Sequence, residues 1–400
     1  MNRARAWFKR FSRLVLIFLL IEFLDELVYG ARQTAWPLIR TDLGLSYFQI
    51  GLALSVPGLT STLIEPVLGI WGDSLWRRVI ILAGGVAFCA SLFVAGLSPT
   101  FIVLILADIL FFPASGAFVS LSQANLMDLE PERHEQNMAR WTFAGSLGVF
   151  AGPLLLGGFA LLGWGWSGMM FGLGIFAVLV LVLAWRGVPR RVRAVPEEEE
   201  EEKFSFREGL LRALGLLKRK EVLRWLVLLE FSDLMLDVLY SYLALYLVDV
   251  VKLSPEMAAL GVAVWTGVGL LGDFLLIPLL EKVRGLDYLR VSVVLELVLF
   301  PAFLLAPGLP LKLVCLGLLG FFNSGWYSVL KGNLYAEIRG QSGSMLVLDN
   351  AAAVFGKLIP LGLGLAAQSF GLGAAMWLLL AGPIVLLVGL PRKERTLPPP

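Results

Sequence analysis

The sequence predicts an all-α integral membrane protein of about 12 transmembrane helices arranged as two six-helix repeats, and three observations carry that expectation. Apolar residues make up 58% of the 400-residue chain and charged ones only 16%, with a mean hydropathy of +0.80, far from the composition of soluble domains. The apolar residues gather into stretches of about 20, the length a helix needs to cross hydrocarbon. A transmembrane β-barrel would instead show short alternating segments. Finally, Glu22-Phe23-Leu24-Asp25 recurs as Glu230-Phe231-Ser232-Asp233, 208 residues on (230 − 22).

In the first half, spans are expected to begin near residues 13, 47, 78, 101, 141 and 165; in the second, near 223, 257, 288, 311, 345 and 372. The basic start (Arg3, Arg5, Lys9, Arg10) followed by Leu14–Leu20 resembles a secretory signal. Glu22 and Asp25 interrupt that apolar run and no small-residue cleavage site follows, so it reads as a retained first span. Arg77-Arg78, Arg133 to Arg140, Lys282 to Arg290, Lys331 to Arg339 and the tail Arg392-Lys393-Arg395 alternate with poorly charged connections. That alternation places both termini on the cytoplasmic side of a cytoplasmic (inner) membrane. Between the halves, residues 187–222 break the apolar pattern with Pro189-Arg190-Arg191, Pro196 and the run Glu197–Glu202. Like charges repel and stay solvated, so this is a linker. Its second part sets Leu210, Leu211, Leu214 and Leu217 at helical spacing against Arg207, Arg212 and Lys218, an amphipathic helix for the lipid surface. The expected division is thus a bundle over 1–186, the linker over 187–222 and a bundle over 223–400.

Two further echoes support duplication. Phe111-Phe112-Pro113-Ala114-Ser115-Gly116 returns as Phe321-Phe322-Asn323-Ser324-Gly325, and Asn125-Leu126 as Asn333-Leu334. A six-span unit repeated in parallel implies a substrate site near the midplane between halves, and one such chain holds a complete pathway, so it can work as a monomer.

Carboxylates at bilayer depth cost roughly 2.5 to 3.5 kcal/mol each on insertion scales, so a duplicated set marks a pathway for ions or substrate. Positions i, i+3, i+4 and i+7 share a helix face, which lines up Glu22, Asp25, Glu26 and Tyr29, and again Glu230, Asp233, Asp237 and Tyr240. Packed in low dielectric these groups cannot all ionise, and some are expected to carry protons near neutral pH. The plain structural reading pairs individual members with Arg32, Arg40 or Lys357. Glu65, Asp108, Asp273, Glu296 and Asp349-Asn350 add further intramembrane polar groups, with Asp349 and Lys357 either an ion pair, a gate or part of the substrate site. Asn323 and Trp326, in and beside the second echo, are candidate lining residues, and Trp265, Tyr242 and Tyr327 are aromatic faces able to stack on a cation or to pack. Acids outnumber bases in the spans, which favours a cationic substrate, a metal cation or protons, although neutralised acids also hydrogen-bond a neutral solute.

Other classes are disfavoured. Cys89 and Cys315 fall within spans and read as buried apolar filler, and His134, the only histidine, falls in an expected cytoplasmic turn. A histidine-based metal site or acid–base dyad is therefore not expected, and neither a nucleotide loop, a nucleophile–histidine pair nor a zinc motif is present. The expectation is a non-enzymatic protein without cofactor or bound metal. Its partners are a small-molecule substrate, protons and membrane lipid; a net charge of +2 that follows topology calls for no nucleic acid.

The turn Gly69-Ile70-Trp71-Gly72-Asp73-Ser74-Leu75-Trp76-Arg77-Arg78 joins close-packing glycines to an aspartate and an arginine pair able to clamp Asp128 or Glu130, a device for latching one side. It resembles the signature loop of the major facilitator superfamily, G-x-x-x-D-R-x-G-R-R, with Ser74 and Trp76 departing from it. In the fifth span, Gly148-x-x-x-Gly152-Pro153-x-x-x-Gly157-Gly158 resembles the Gly-Pro motif of that superfamily's proton antiporters, with one extra residue before the last glycines; ordinary small-residue packing in a Pro-kinked helix is the alternative. Pro37 to Gln49-Ile50-Gly51 and Glu65-Pro66 to Asp73 are similar to the fosmidomycin-resistance branch, over the first quarter of the chain. The resemblance implies proton-coupled antiport and efflux by alternating access; joined to the surplus of acids in the spans, it leads to the expectation of an antiporter exporting a small cationic or amphipathic compound. Uptake of a nutrient or divalent metal by symport and a non-transporting membrane sensor remain as alternatives.

Overall fold

A computed structural model describes residues 13–72, 76–129, 134–188, 215–216, 218–337 and 342–391. The N-terminal basic residues Arg3 to Arg10, Asp73, Glu130, the run Glu197–Glu202 and most of the expected amphipathic helix lie outside the described residues. The first half contains α1 (Arg13–Leu43), α2 (Tyr47–Gly72), α3 (Arg77–Gly96), α4 (Phe101–Ser115) continued through a π turn (Gly116–Ser120) into α5 (Leu121–Leu129), α6 (His134–Leu161) and α7 (Gly165–Gly187). The second contains α8 (Lys220–Ser232), a π turn (Leu234–Val238), α9 (Leu239–Leu245), a second π turn (Tyr246–Val250), α10 (Pro255–Leu280), α11 (Gly285–Leu305), α12 (Leu309–Asn323), α13 (Trp326–Glu337), α14 (Ser342–Phe370), and α15 (Leu372–Ala375), a 3₁₀ turn and α16 (Ala381–Gly389).

Among the described residues ten helical stretches are long and apolar enough to cross a membrane. The stretches Arg13–Leu43 and Lys220–Val250, which carry the two acidic sets, complete the expected twelve. Span starts follow the hydropathy closely except in α6, which begins at His134 rather than near 141. The polar segment from His134 to Arg140 is helical, so the sole histidine opens a helix and does not sit in a turn.

Local chemistry explains the boundaries. Gly44 sits at φ 62°, a conformation glycine adopts freely, and ends α1. Ser46 then caps α2 reciprocally: Gln49 N–H donates to Ser46 Oγ (3.2 Å) while Ser46 N–H donates to Gln49 Oε1 (2.9 Å). The echoed Phe-Phe motifs diverge structurally. From Phe111 to Asn125 the first copy holds more residues than Phe321 to Asn333 does in the second, and its π turn, an insertion of one residue into a helix, keeps the span unbroken. The shorter second copy breaks instead at Ser324-Gly325, with Gly325 at φ 72°.

The described residues fall into two compact units. The first comprises those up to 201 with Ser241–Ala263 and Pro360–Leu372; the second comprises those from 202 to Tyr240, Val264–Ile359 and those from Gly373. Two segments from beyond the linker thus group with the first-half helices. In the first unit these segments meet α2 and each other closely. Ser55 Oγ accepts from Leu361 N–H (3.1 Å), Tyr242 Oη donates to Pro360 C=O (2.7 Å), and a Cβ at Gly364 would lie 2.6 Å from the Tyr47 carbonyl. At the end of α1, Asp249 takes an ion pair from Arg40 (3.1 Å) and a hydrogen bond from Tyr47 (2.8 Å), with the Arg40 guanidinium 4.5 Å from the Tyr47 ring.

Candidate functional site

In the first unit α1 packs on α6 along its acidic stripe, and glycines set the approach. A Cβ at Gly145 would lie 2.7 Å from Glu22 Oε1 and 3.3 Å from Glu26 Cγ, and one at Gly148 would lie 2.6 Å from the Phe23 carbonyl. A Cβ at Gly152 would meet the backbone of Gly30 and Ala31. The Gly148-to-Pro153 motif is therefore the seam that brings α6 against the carboxylates. Glu22 is buried, at 8% exposure, and takes a hydrogen bond from the Trp141 indole. Asp25 is half-buried and accepts from Ser115 Oγ (2.8 Å), with Glu22 and Glu65 as its charged neighbours. Glu65 is exposed, accepts from Ser61 Oγ (2.6 Å) and rests on the π turn, 3.0 Å from a Cβ placed at Gly116. Glu26 and Tyr29 are half-buried on the same helix.

The basic residues that could have neutralised this stripe are engaged elsewhere. Arg32 forms a buried ion pair with Asp108, which is 1% exposed, and its guanidinium lies 5.5 and 5.9 Å from the Phe111 and Phe112 rings. Arg40 is held by Asp249.

The second unit repeats the theme with a twist of register. Glu230 is half-buried against Gly356, where any Cβ would meet its Oε2, as Glu22 is against Gly145. Asp233 ends α8 and has Asp237, Glu230, Lys357 and Lys331 as charged neighbours. A π turn follows; Asp237 within it is exposed and remains a charged neighbour of Asp233, whereas Tyr240 is 3% exposed with its ring 5.3 Å from that of Trp265. Asn323, buried at the end of α12, donates to the Met235 carbonyl within this π turn (3.1 Å). Trp326 is fully buried and its indole donates to Ser292 Oγ (2.8 Å). Both are thus tied into the protein core. Lys357 is exposed on α14, and Asp349 lies on the same helix with its side chain outside those described.

Of the expected latch, Arg77 donates to Asn125 Oδ1 (3.2 Å) and Arg78 to the Trp185 carbonyl (2.8 Å). Asp128 lies in α5, its side chain outside those described. Cys89 and Cys315 are buried within α3 and α12. Sequence reasoning gave no role to Ser115, Ser61 or Trp141. Ser115 stands inside the echoed Phe-Phe motif, a signal that could have found it; Ser61 and Trp141 carry none.

Comparison with known proteins extends these observations. The Major Facilitator Superfamily profile matches residues 18–359. No curated protein sequence matches. Among solved structures, the nucleoside transporter NupG superposes with a TM-score of 0.76 at 13% identity, covering 95% of this chain and 98% of that one. A bacterial homologue of the human lysosomal transporter Spinster gives 0.68 at 17% identity, covering 94% and 92%. The human organic anion transporter MFSD10 gives 0.61 at 18% identity, covering 95% and 99%.

Proposed function

The chain belongs to the major facilitator superfamily of membrane transporters, and from that premise we propose that it is a proton-coupled antiporter exporting a small cationic or amphipathic compound across the cytoplasmic membrane, as a monomer with both termini cytoplasmic. The observation that carries this reading is the duplicated pair of acids, Glu22 with Asp25 and Glu230 with Asp233, each glutamate resting on a glycine of the same unit, Gly145 and Gly356. With Arg32 and Arg40 engaged by Asp108 and Asp249, the acids of α1 keep their negative potential for a mobile cation. Protons and a cationic substrate compete for the same carboxylates, so binding of one releases the other, and alternating access turns that competition into exchange. Substrate binding from the cytoplasm displaces protons, and protonation on the far side releases substrate. The resemblance of Gly148 to Gly158 to the antiporter motif supports export. A surplus of acids supports a cation over an anion, while the neutral forms of the same acids would suit a solute of nucleoside type.

The test is proton release by purified protein in weakly buffered detergent. A lipophilic monovalent cation, a nucleoside, an aromatic carboxylate and a divalent metal are added in turn, to wild type, Glu22→Gln and Asp233→Asn. Release on adding the cation alone, lost in both variants, is the expected result. A cation that binds with no proton released sinks the antiport mechanism, and release with the nucleoside alone moves the substrate class.

A further inference from the structure

Glu296 lies in the middle of α11, at 0% exposure, and neither of its carboxyl oxygens meets a hydrogen-bond partner among the described residues. One turn earlier, Ser292 accepts from Trp326 and donates to the Leu289 carbonyl (3.0 Å). The duplication provides an internal control for this place in the fold. At the same 208-residue offset that relates Glu22 to Glu230, Glu296 corresponds to Phe88 and Ser292 to Gly84, while Trp326, next after the echoed Ser-Gly pair, corresponds to Ala117. In the first unit this place is an apolar core: a Cβ at Gly84 would lie 2.7 Å from that of buried Ala117, and Phe88 and the adjoining Phe118 are fully buried with ring centroids 5.9 Å apart. The fold therefore fills this position with a phenylalanine and does not require a carboxyl group there.

A carboxylate with neither water nor a counter-charge is strongly disfavoured, whereas the uncharged acid loses far less on burial. A metal cation would need several converging ligands, and among the described residues no group of three or more acidic, histidine or cysteine side chains comes together. We propose that Glu296 is a proton-binding site in the core of the second unit, distinct from the acids of α1 and α8, holding its proton in the closed packing of α11 on α13 and exchanging it when that packing opens. Facing groups are few. On its own helix Tyr288 lies in electrostatic range of Glu296 and of Asp273, and donates to the Ser324 carbonyl (2.9 Å). Asp273 on α10 accepts from Gly325 N–H. The other titratable side chains on helices packed against α11 are Lys312 and Cys315 on α12, and Tyr327, Lys331, Tyr335 and Glu337 on α13; α16 and the 3₁₀ turn before it have none. Lys312 is committed to the Phe303 and Leu304 carbonyls at the end of α11 (2.7 and 3.2 Å).

The experiment is infrared difference spectroscopy of the full chain in lipid nanodiscs, comparing wild type with Glu296→Gln and Glu296→Phe. The phenylalanine variant copies the first-half core and is expected to fold with an unchanged or higher melting midpoint, so it supplies the comparison even where the glutamine variant does not fold. The expected result is a protonated-carboxyl C=O stretch in wild type at neutral pH, absent from both variants, shifted in D₂O and replaced by a carboxylate band as pH rises. It should persist in Asp25→Asn and Asp233→Asn, which separates this site from the antiport reading. No Glu296-dependent band, a band that never shifts in D₂O, or one displaced by NaCl but not KCl at fixed pH overturns the proposal.

Discussion

Neutralising Asp108 should expose how much the buried pair with Arg32 matters. The Asp108 side chain is 1% exposed and that of Arg32 11%, so Asp108→Ala would strand a guanidinium in the first unit with no water to replace its partner. Breaking such a pair from one side costs about 3 to 5 kcal/mol. The Phe111 and Phe112 rings hold the guanidinium before and after the change, so they offset none of it. Asp108→Asn retains an acceptor oxygen and belongs at the lower end of that range, and Asp108→Ala, which adds a cavity, at the upper end. The double change Arg32→Met with Asp108→Leu removes both charges and should recover most of the loss, since apolar replacement of a whole buried pair is commonly neutral or stabilising by about 1 to 4 kcal/mol. Cys89 and Cys315 are both buried, so a thiol-reactive fluorophore reports unfolding of the natural chain in detergent. The expected order of melting midpoints is Ala below Asn, with the double variant close to wild type. Melting of Asp108→Ala with wild type, or of the double variant with the Ala single variant, would refute a coupled pair at this position.

Three more outcomes follow from the same geometry. Gly148→Ala should destabilise by about 1 to 3 kcal/mol, because its Cβ would press on the Phe23 carbonyl and the Leu27 nitrogen, both backbone atoms; Gly158→Ala, with nothing within 4 Å, should melt with wild type in the same assay. Asn323→Ala should cost about 1 to 3 kcal/mol by leaving the Met235 carbonyl without that donor, and Asn323→Gln should not restore it if the reach from the end of α12 is what matters. Asp249→Asn removes a partly exposed ion pair but keeps an acceptor for Tyr47, so its loss should stay near 1 kcal/mol and shrink in high salt; a larger, salt-independent loss would mean that the pair is not partly exposed.

What the sequence made legible was set by periodicity and cost. Apolar windows located the spans because each must cross the same thickness, and they missed the start of α6 because a helix can run two turns into polar surroundings before it meets lipid. The E-F-x-D pair was legible because carboxylates are rare at that depth, whereas the burial of Tyr240 next to an exposed Asp237 was not. A π turn changes which residues share a face, and no residue type in Leu234–Val238 announces one. Pairings between helices distant in sequence were harder still. Arg32 stands seven residues beyond Asp25, near enough on one helix to serve the acidic stripe, but its partner is Asp108, whose place depends on how two helices cross. Gly148 could be recognised from its motif, whereas Gly356, its image at the 208-residue offset, stands outside any such motif and packs on the Glu230 side chain where Gly148 meets backbone.

The two halves nevertheless reveal what a single half conceals. A buried acid in one helix can always be dismissed as tolerated, because no reference shows what the fold would do without it. In a duplicated chain the other copy is that reference. Glu22 and Glu230 stand at equivalent places and each packs on a glycine, Gly145 and Gly356, although Gly356 is the image of Gly148, one turn along, so the acids belong to the repeat while their glycine contacts differ in register. Glu296 faces the opposite case, since Phe88 shows that the repeat is content with an aromatic ring. On the proposed antiport reading the shared acids bear on the common transport step, and the unshared one on something peculiar to the second unit. Substitutions that make the halves alike, Glu296→Phe on one side and Phe88→Glu on the other, should consequently have opposite effects on stability: the first neutral or stabilising, the second a loss of roughly 3 kcal/mol or more from a vanished aromatic and a buried acid. Equal effects of the two on the melting midpoint would show that the copies are not equivalent in packing there, and the comparison between them would lose its force.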